Sequence, residues 1–138
     1  MREFRLDTTG PAGDCAVLQV TGEVDVYTAP MLRERIREIA ANGAVHLIAD
    51  LGQVDFLDST GLGALVGGLK RLREDGGSLA LVITAPRIQR IFQITGLTKA
   101  LAAWPSVTDA VTADPHWSKT AESQAGSARE WCRQHGLS

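Results

Sequence analysis

Two short runs, Val45 to Leu51 and Leu79 to Ile83, are almost continuously apolar, the pattern of strands covered on both faces, as parallel strands are. A chain built around such strands must also supply helices to cover them. Three segments have the required spacing. The first opens at Thr28 as N-cap with Pro30 in its first turn, carries Leu32, Ile36, Ile39 and Ala40 on one face, and stops at Asn42-Gly43. The second runs from about Ser59 to Glu74, with Leu62, Leu65, Val66, Leu69 and Leu72 as its sheet-facing stripe. The third runs from Pro86 to Thr95, with Ile88, Ile91 and Phe92 inward and Gly96 at its end.

Ahead of these elements, Phe4 and Leu6 alternate with Arg5 and Asp7, and Cys15 to Val20 offers a second strand beyond a turn at Gly10-Pro11. The two predict a hairpin. A fourth, short helix is expected from Ser106, where Ser106-x-x-Asp109 resembles a capping box. Strands alternating with helices in this order give an α/β fold: a mixed, mostly parallel sheet with right-handed crossovers and helices on at least one face.

At 138 residues the chain suits one domain plus an appendage. The boundary falls at Asp114-Pro115, giving a compact unit over 1–113 and an extension over 114–138. In the extension Trp117, Ala121, Ala128, Trp131, Cys132 and His135 share a helical stripe before Gly136, so a fifth helix is expected. Two Trp on one stripe need a surface: this chain's own domain, or else a second copy in a homodimer or another partner.

With 44% apolar and 22% charged residues and a net charge of −2, the chain has material for a core and no basic excess to track phosphates. Nucleic acid is not an expected partner. The start, Met1 to Arg5, has no apolar h-region, and Leu62 to Leu69 is too short to cross a bilayer. A cytoplasmic location without membrane association follows as the expectation, with Cys15 and Cys132 as reduced thiols.

The chemistry concentrates in Val54 to Gly63, where an apolar strand passes into a helix through Asp58-Ser59-Thr60. Asp58 or Ser59 serves as N-cap there. The helix contains Gly61, Gly63, Gly67 and Gly68, each costing about 0.5–1 kcal/mol relative to Ala. On a helical wheel Thr60, Gly63, Ala64, Gly67 and Arg71 lie opposite the leucine stripe, a flat face that another protein can approach closely. Gly61 and Gly68 also suit close approach to the chain's own sheet. The loop from Gly22 to Thr28 gathers at the same carboxyl edge, bringing Asp25 beside Ser59. Glu23, Asp25, Asp55 and Asp58 have the oxygens for a hard cation but not the spacing of a dedicated site, so no metal is expected. Catalysis is not expected either: there is no G-x-S-x-G elbow and no histidine placed to activate Ser59.

Thr21 to Pro30, Phe56 to Gly63 and Ile94 to Leu97, in this order and spacing, resemble the signatures of STAS-domain anti-sigma-factor antagonists. The likeness covers about residues 3–113. It implies a non-enzymatic switch in which the unphosphorylated chain binds an anti-sigma-factor serine kinase and frees a sigma factor. Phosphorylation of Ser59 then reverses binding and a PP2C-type phosphatase restores it. ATP and magnesium would belong to the kinase, leaving this chain without a cofactor. Asp25, Asp58, Thr60, Gly61, Gly63, Ala64, Gly67 and Arg71 form the expected partner-binding set. The alternative within the same fold is a scaffold or complex subunit that is never phosphorylated.

Overall fold

The alternating start and the run from Cys15 form the expected hairpin, β1 (Arg5–Ala12) antiparallel to β2 (Cys15–Val24). In this computed structural model, which describes residues 3–138, Met1 and Arg2 of the charged start lie outside the described residues. The hairpin turn is Gly13-Asp14, not Gly10-Pro11: Ala12 pairs with Cys15, and Gly13 has φ 61°. Gly10 and Pro11 instead lie within β1, where the register shifts between Thr9 and Ala12. A two-residue loop needs positive φ, which glycine supplies without a steric cost.

The apolar runs become β3 (His46–Leu57) and β4 (Ser78–Val82), and a short β5 (Ala102–Trp104), not foreseen from the sequence, closes the sheet. Strand order is β1-β2-β3-β4-β5, parallel everywhere except between β1 and β2. The helices are α1 (Ala29–Ala41), α2 (Ser59–Glu74), α3 (Pro86–Ile94), α4 (Val107–Ala113), α5 (Pro115–Ala125) and α6 (Ala128–Gln134). Ser106 caps α4 by accepting a hydrogen bond from the Asp109 amide at 3.0 Å.

Alternation along the central strands divides the core into two layers. Leu18, Leu47, Ala49, Leu79 and Leu81 share one cluster with Leu32, Ile36, Leu65, Leu69, Leu72, Ile88 and Phe92 from α1, α2 and α3. Val17, Ile48 and Val82 point the other way, into a second cluster with Val107, Val111, Trp117, Trp131 and Leu137. Helices therefore cover both faces, as strands apolar on both sides require.

The expected single terminal helix is broken in two. Gly126 takes φ 89°, ending α5, and the Ser127 hydroxyl then caps α6 by accepting from the Glu130 amide at 3.0 Å. The break folds the stripe back on itself, so that the Trp117 and Trp131 rings meet edge to face with centroids 5.5 Å apart. Trp117, Ala121, Ala128, Trp131 and Cys132 are all buried against the chain's own sheet, while His135 is exposed. The stripe thus packs on the chain's own domain, the first of the surfaces expected for it. Cys15 and Cys132 are free and buried in this second layer.

Because both indoles lie within the second layer, Trp117→Ala should lower unfolding free energy by about 3–5 kcal/mol, the usual cost of truncating a buried aromatic. Urea unfolding monitored by far-ultraviolet circular dichroism measures it. An unchanged midpoint would mean that this layer does not contribute to the stability of the sheet.

Candidate functional site

β2 and β3 run parallel and end side by side, with Glu23 opposite Phe56 and Val24 opposite Leu57. Their exits place two loops together at the carboxyl edge, and the Asp58 amide donates to Val24 O at 3.3 Å across the gap. Asp58 is the N-cap of α2: its backbone is extended and its Oδ1 accepts from the Gly61 amide at 3.0 Å. Ser59, left open as a cap in the sequence, is instead the first residue of the helix and is exposed. Among the described residues its hydroxyl has no hydrogen-bond partner. Its amide and that of Thr60 belong to the first turn, where helix geometry supplies no acceptor.

Asp25 organises the neighbouring loop. Its Oδ1 accepts from the amides of Tyr27 (2.9 Å) and Thr28 (3.1 Å) and contacts the Thr28 hydroxyl at 3.2 Å. The Thr28 amide first, then the Tyr27 amide and the Thr28 hydroxyl, hold this carboxyl below the usual range, against a desolvation effect of opposite sign. A depressed folded value means that the loop closure it contributes is present above the unfolded value of about 3.9 and fades as pH falls through the folded one. Thr28 occupies the N-cap position of α1 but makes no side-chain cap. Its hydroxyl turns back into the loop, accepting from the Asp25 amide at 2.9 Å and donating to Glu23 O at 2.7 Å.

The expected partner-binding residues fall into three groups. Asp58 and Thr60 flank Ser59 in the chain, Asp25 lies in the loop that follows Val24, to whose carbonyl the Asp58 amide donates, and Gly63 follows one turn after Ser59 with an exposed, open surface. Gly61 and Ala64 are buried and do not belong to the outward face. A Cβ on Gly61 would lie 2.5 Å from Leu57 Cδ1, 2.8 Å from Val24 Cγ1 and 3.0 Å from Val24 O, so this glycine seats α2 on the strand ends. Gly68 plays the same part toward α1, where a Cβ would come within 2.9 Å of Ile36 Cδ1, rather than toward the sheet. Because α1 lies alongside α2, the buried arc of α2 includes Ala64 and Gly68, while Leu62 and Val66 are only half-buried.

Gly67 and Arg71 form the third group, in a groove of about 220 Å³ between α1 and α2 that they share with Arg33, Ile36, Arg37 and Gly68. Arg71 is tied to Asp75 at 2.9 Å. Twelve residues of helix set it about 18 Å along the axis from Ser59.

Sequence reasoning missed an apolar component of this edge. Val26 (58% exposed), Tyr27 (83%), Met31 (55%) and Phe56 (46%) present their side chains to solvent from the β2–α1 loop, the start of α1 and the end of β3. The signal was the placement of Val26 and Tyr27 in a loop, where burial is hardest to achieve. The edge thus combines a free serine hydroxyl, unpaired helix amides, two structural carboxylates and exposed apolar surface. His46, at the start of β3, is remote from this edge: Ser59 follows the end of that strand, about 35 Å away along extended backbone.

Residues 7–110 match the STAS domain family model. Over 80 residues, 58% of this chain and 72% of the relative, the sequence is 46% identical to the anti-sigma-B factor antagonist of Bacillus subtilis (strain 168). The crystal structure of an anti-sigma factor antagonist from Mycobacterium paratuberculosis is similar with a TM-score of 0.73 and 32% identity, covering 80% of this chain and 93% of that one. The anti-sigma factor antagonist SpoIIAA in its unphosphorylated form is similar with a TM-score of 0.54 and 25% identity, covering 66% of this chain and 82% of that one.

The two kinds of glycine in α2 should separate on substitution. Gly61→Ala forces a methyl group into Val24 and Leu57 and should cost about 1–3 kcal/mol, whereas Gly63→Ala, with nothing within 4 Å of the added carbon, should stabilise by about 0.5–1 kcal/mol. Urea midpoints of the two variants check this. A Gly61→Ala protein as stable as its parent would contradict the close approach.

Proposed function

We propose, from the premise that this chain belongs to the STAS domain family, that it is an anti-sigma factor antagonist switched by phosphorylation of Ser59. The exposed, unpartnered hydroxyl of Ser59 on the first turn of α2 carries this reading. In the unphosphorylated state the surface around Ser59, Thr60 and Gly63, with Asp25 and Asp58 beside it, meets an anti-sigma factor that is itself a serine kinase and holds the ATP. Val26, Tyr27, Met31 and Phe56 supply apolar contact area at the same edge, the kind of aromatic and Met surface that protein interfaces favour. Sigma factor is released when this chain occupies its antagonist.

The modification fits the local physics. Free amides and the helix dipole accommodate a phosphate at the start of α2 without unfolding it. The group adds about −1.5 to −2 charge between Asp25 and Asp58, and occupies a surface that had been small. A cost of about 3 kcal/mol from repulsion and desolvation lowers affinity about a hundredfold, enough to release a partner. A PP2C-type phosphatase then returns the chain to its binding form.

This is a binding function and not an enzymatic one, located in the cytoplasm where kinase and sigma factor meet. Among the described residues no helix is long and apolar enough to cross a membrane. We place the functional unit at residues 1–113 and read 114–138 as an extension that covers the second face of its sheet. Dimerisation through the Trp stripe is not part of the proposal, because that stripe is buried within the chain.

The test is a pull-down from native cytoplasm with wild type, Ser59→Ala and Ser59→Asp as baits, followed by mass spectrometry of partners and phosphosites. Retention of a kinase-type anti-sigma factor by wild type and Ser59→Ala, its loss from Ser59→Asp, and phosphate on Ser59 are the expected results. Identical partners for all three baits with no phosphate on Ser59 would make the chain a constitutive scaffold.

A further inference from the structure

At the amino edge of the sheet, opposite Ser59, four side chains from three separate segments converge. Asp14 occupies the β1–β2 turn, Cys15 opens β2, His46 opens β3, and His116 comes from the first turn of α5. His116 Nε2 lies 2.7 Å from Asp14 Oδ1, His46 Nε2 lies 3.8 Å from Asp14 Oδ2, and Cys15 Sγ lies 3.6 Å from Asp14 Oδ1. The donor atoms of Asp14, Cys15 and His116 all fall within 4.8 Å of one another. The two imidazoles are themselves in contact, with ring centroids 4.1 Å apart.

We propose that Asp14, Cys15, His46 and His116 bind one divalent transition-metal ion of the zinc type, clamping α5 to the edge of the sheet. Two imidazoles, a thiolate and a carboxylate are the donors that zinc selects, whereas magnesium and calcium take oxygen sets. Bond lengths of about 2.0–2.3 Å in a tetrahedron separate ligand atoms by about 3.3–3.8 Å. The Cys15 and His46 contacts with Asp14 already lie near that range, the first on Oδ1 and the second on Oδ2. The His116–Asp14 pair must open by about 0.6 Å, and His46, which stands outside the three mutually close donors, must swing its Nε2 inward to complete the tetrahedron.

The surroundings suit the assignment. His46 Nδ1 pairs with Ser78 Oγ at 2.9 Å, the second hydrogen bond that fixes a ligating histidine and leaves its Nε2 for the metal. The His46 amide donates to Asp14 O at 3.0 Å, holding the turn against β3. On binding, the cation takes the place of the Cys15 thiol proton, which leaves to water. Because His116 belongs to residues 114–138 and the other three ligands do not, the ion would cross-link the extension to the remainder of the fold.

The test uses the full chain, stripped with a chelator and titrated with zinc chloride by calorimetry, then with cobalt(II) by absorption. One ion per chain is expected, with a thiolate-to-cobalt charge-transfer band and a higher melting temperature on metal addition. His116→Ala should abolish uptake while folding normally, since that side chain is 46% exposed. Ser78→Ala should weaken uptake about 10-fold, and His135→Ala, a histidine outside the cluster, should leave it unchanged. No saturable zinc uptake by the wild type, uptake undiminished in His116→Ala, or a cobalt complex without the charge-transfer band would each overturn the site.

Discussion

The parallel pairing of β2 with β3 is the constraint on which the remaining structure depends. Both strands are apolar on both faces, so neither can stand at a solvent-facing surface, and the chain must provide two layers of cover. One layer comes from α1, α2 and α3, the other from α4, α5 and α6. The same pairing ends both strands together at Val24 and Leu57, which sets the β2–α1 loop beside the start of α2. It also begins both strands together, with Cys15 opposite His46, which brings Asp14 and His46 together at the other end, where His116 joins them from α5.

At the carboxyl edge, local stability and function draw on different atoms of the same segment. Asp58 Oδ1 is committed to the Gly61 amide and Asp25 Oδ1 to the amides of its own loop. Gly61 is committed to Val24 and Leu57. With these residues holding the geometry, Ser59 is left exposed on the first turn of α2 and takes no part in holding it. This separation is what the proposed switch requires, a charged group added at one residue without melting the turn that presents it.

Much of this was legible in the residue pattern because it is governed by short-range rules. Helix limits at Asp58, Gly43 and Gly96, the cap at Ser106, and the division of glycines in α2 all follow from backbone amides that need partners and from the size of a missing Cβ. Where the pattern misled, a long-range contact decided the outcome. Ala64 faces inward because α1 lies alongside α2, and Thr28 does not cap α1 because Glu23 and Asp25 engage its hydroxyl. β5 was not visible, since Ala102 to Trp104 is too short to show a period and is a strand only by pairing with β4.

The sequence by itself determined the α/β class, the central strands, the order of α1 to α4 and the Asp58-Ser59 turn, because apolar periodicity and capping chemistry act within a few residues. Only the tertiary structure decided that residues 114–138 form two helices covering the second face of the sheet, and that Arg71 stands apart from Ser59. It alone placed His116 beside Asp14 and His46. Those outcomes depend on which surfaces meet once the chain closes on itself, and residues 102 positions apart leave no local signal that they will touch.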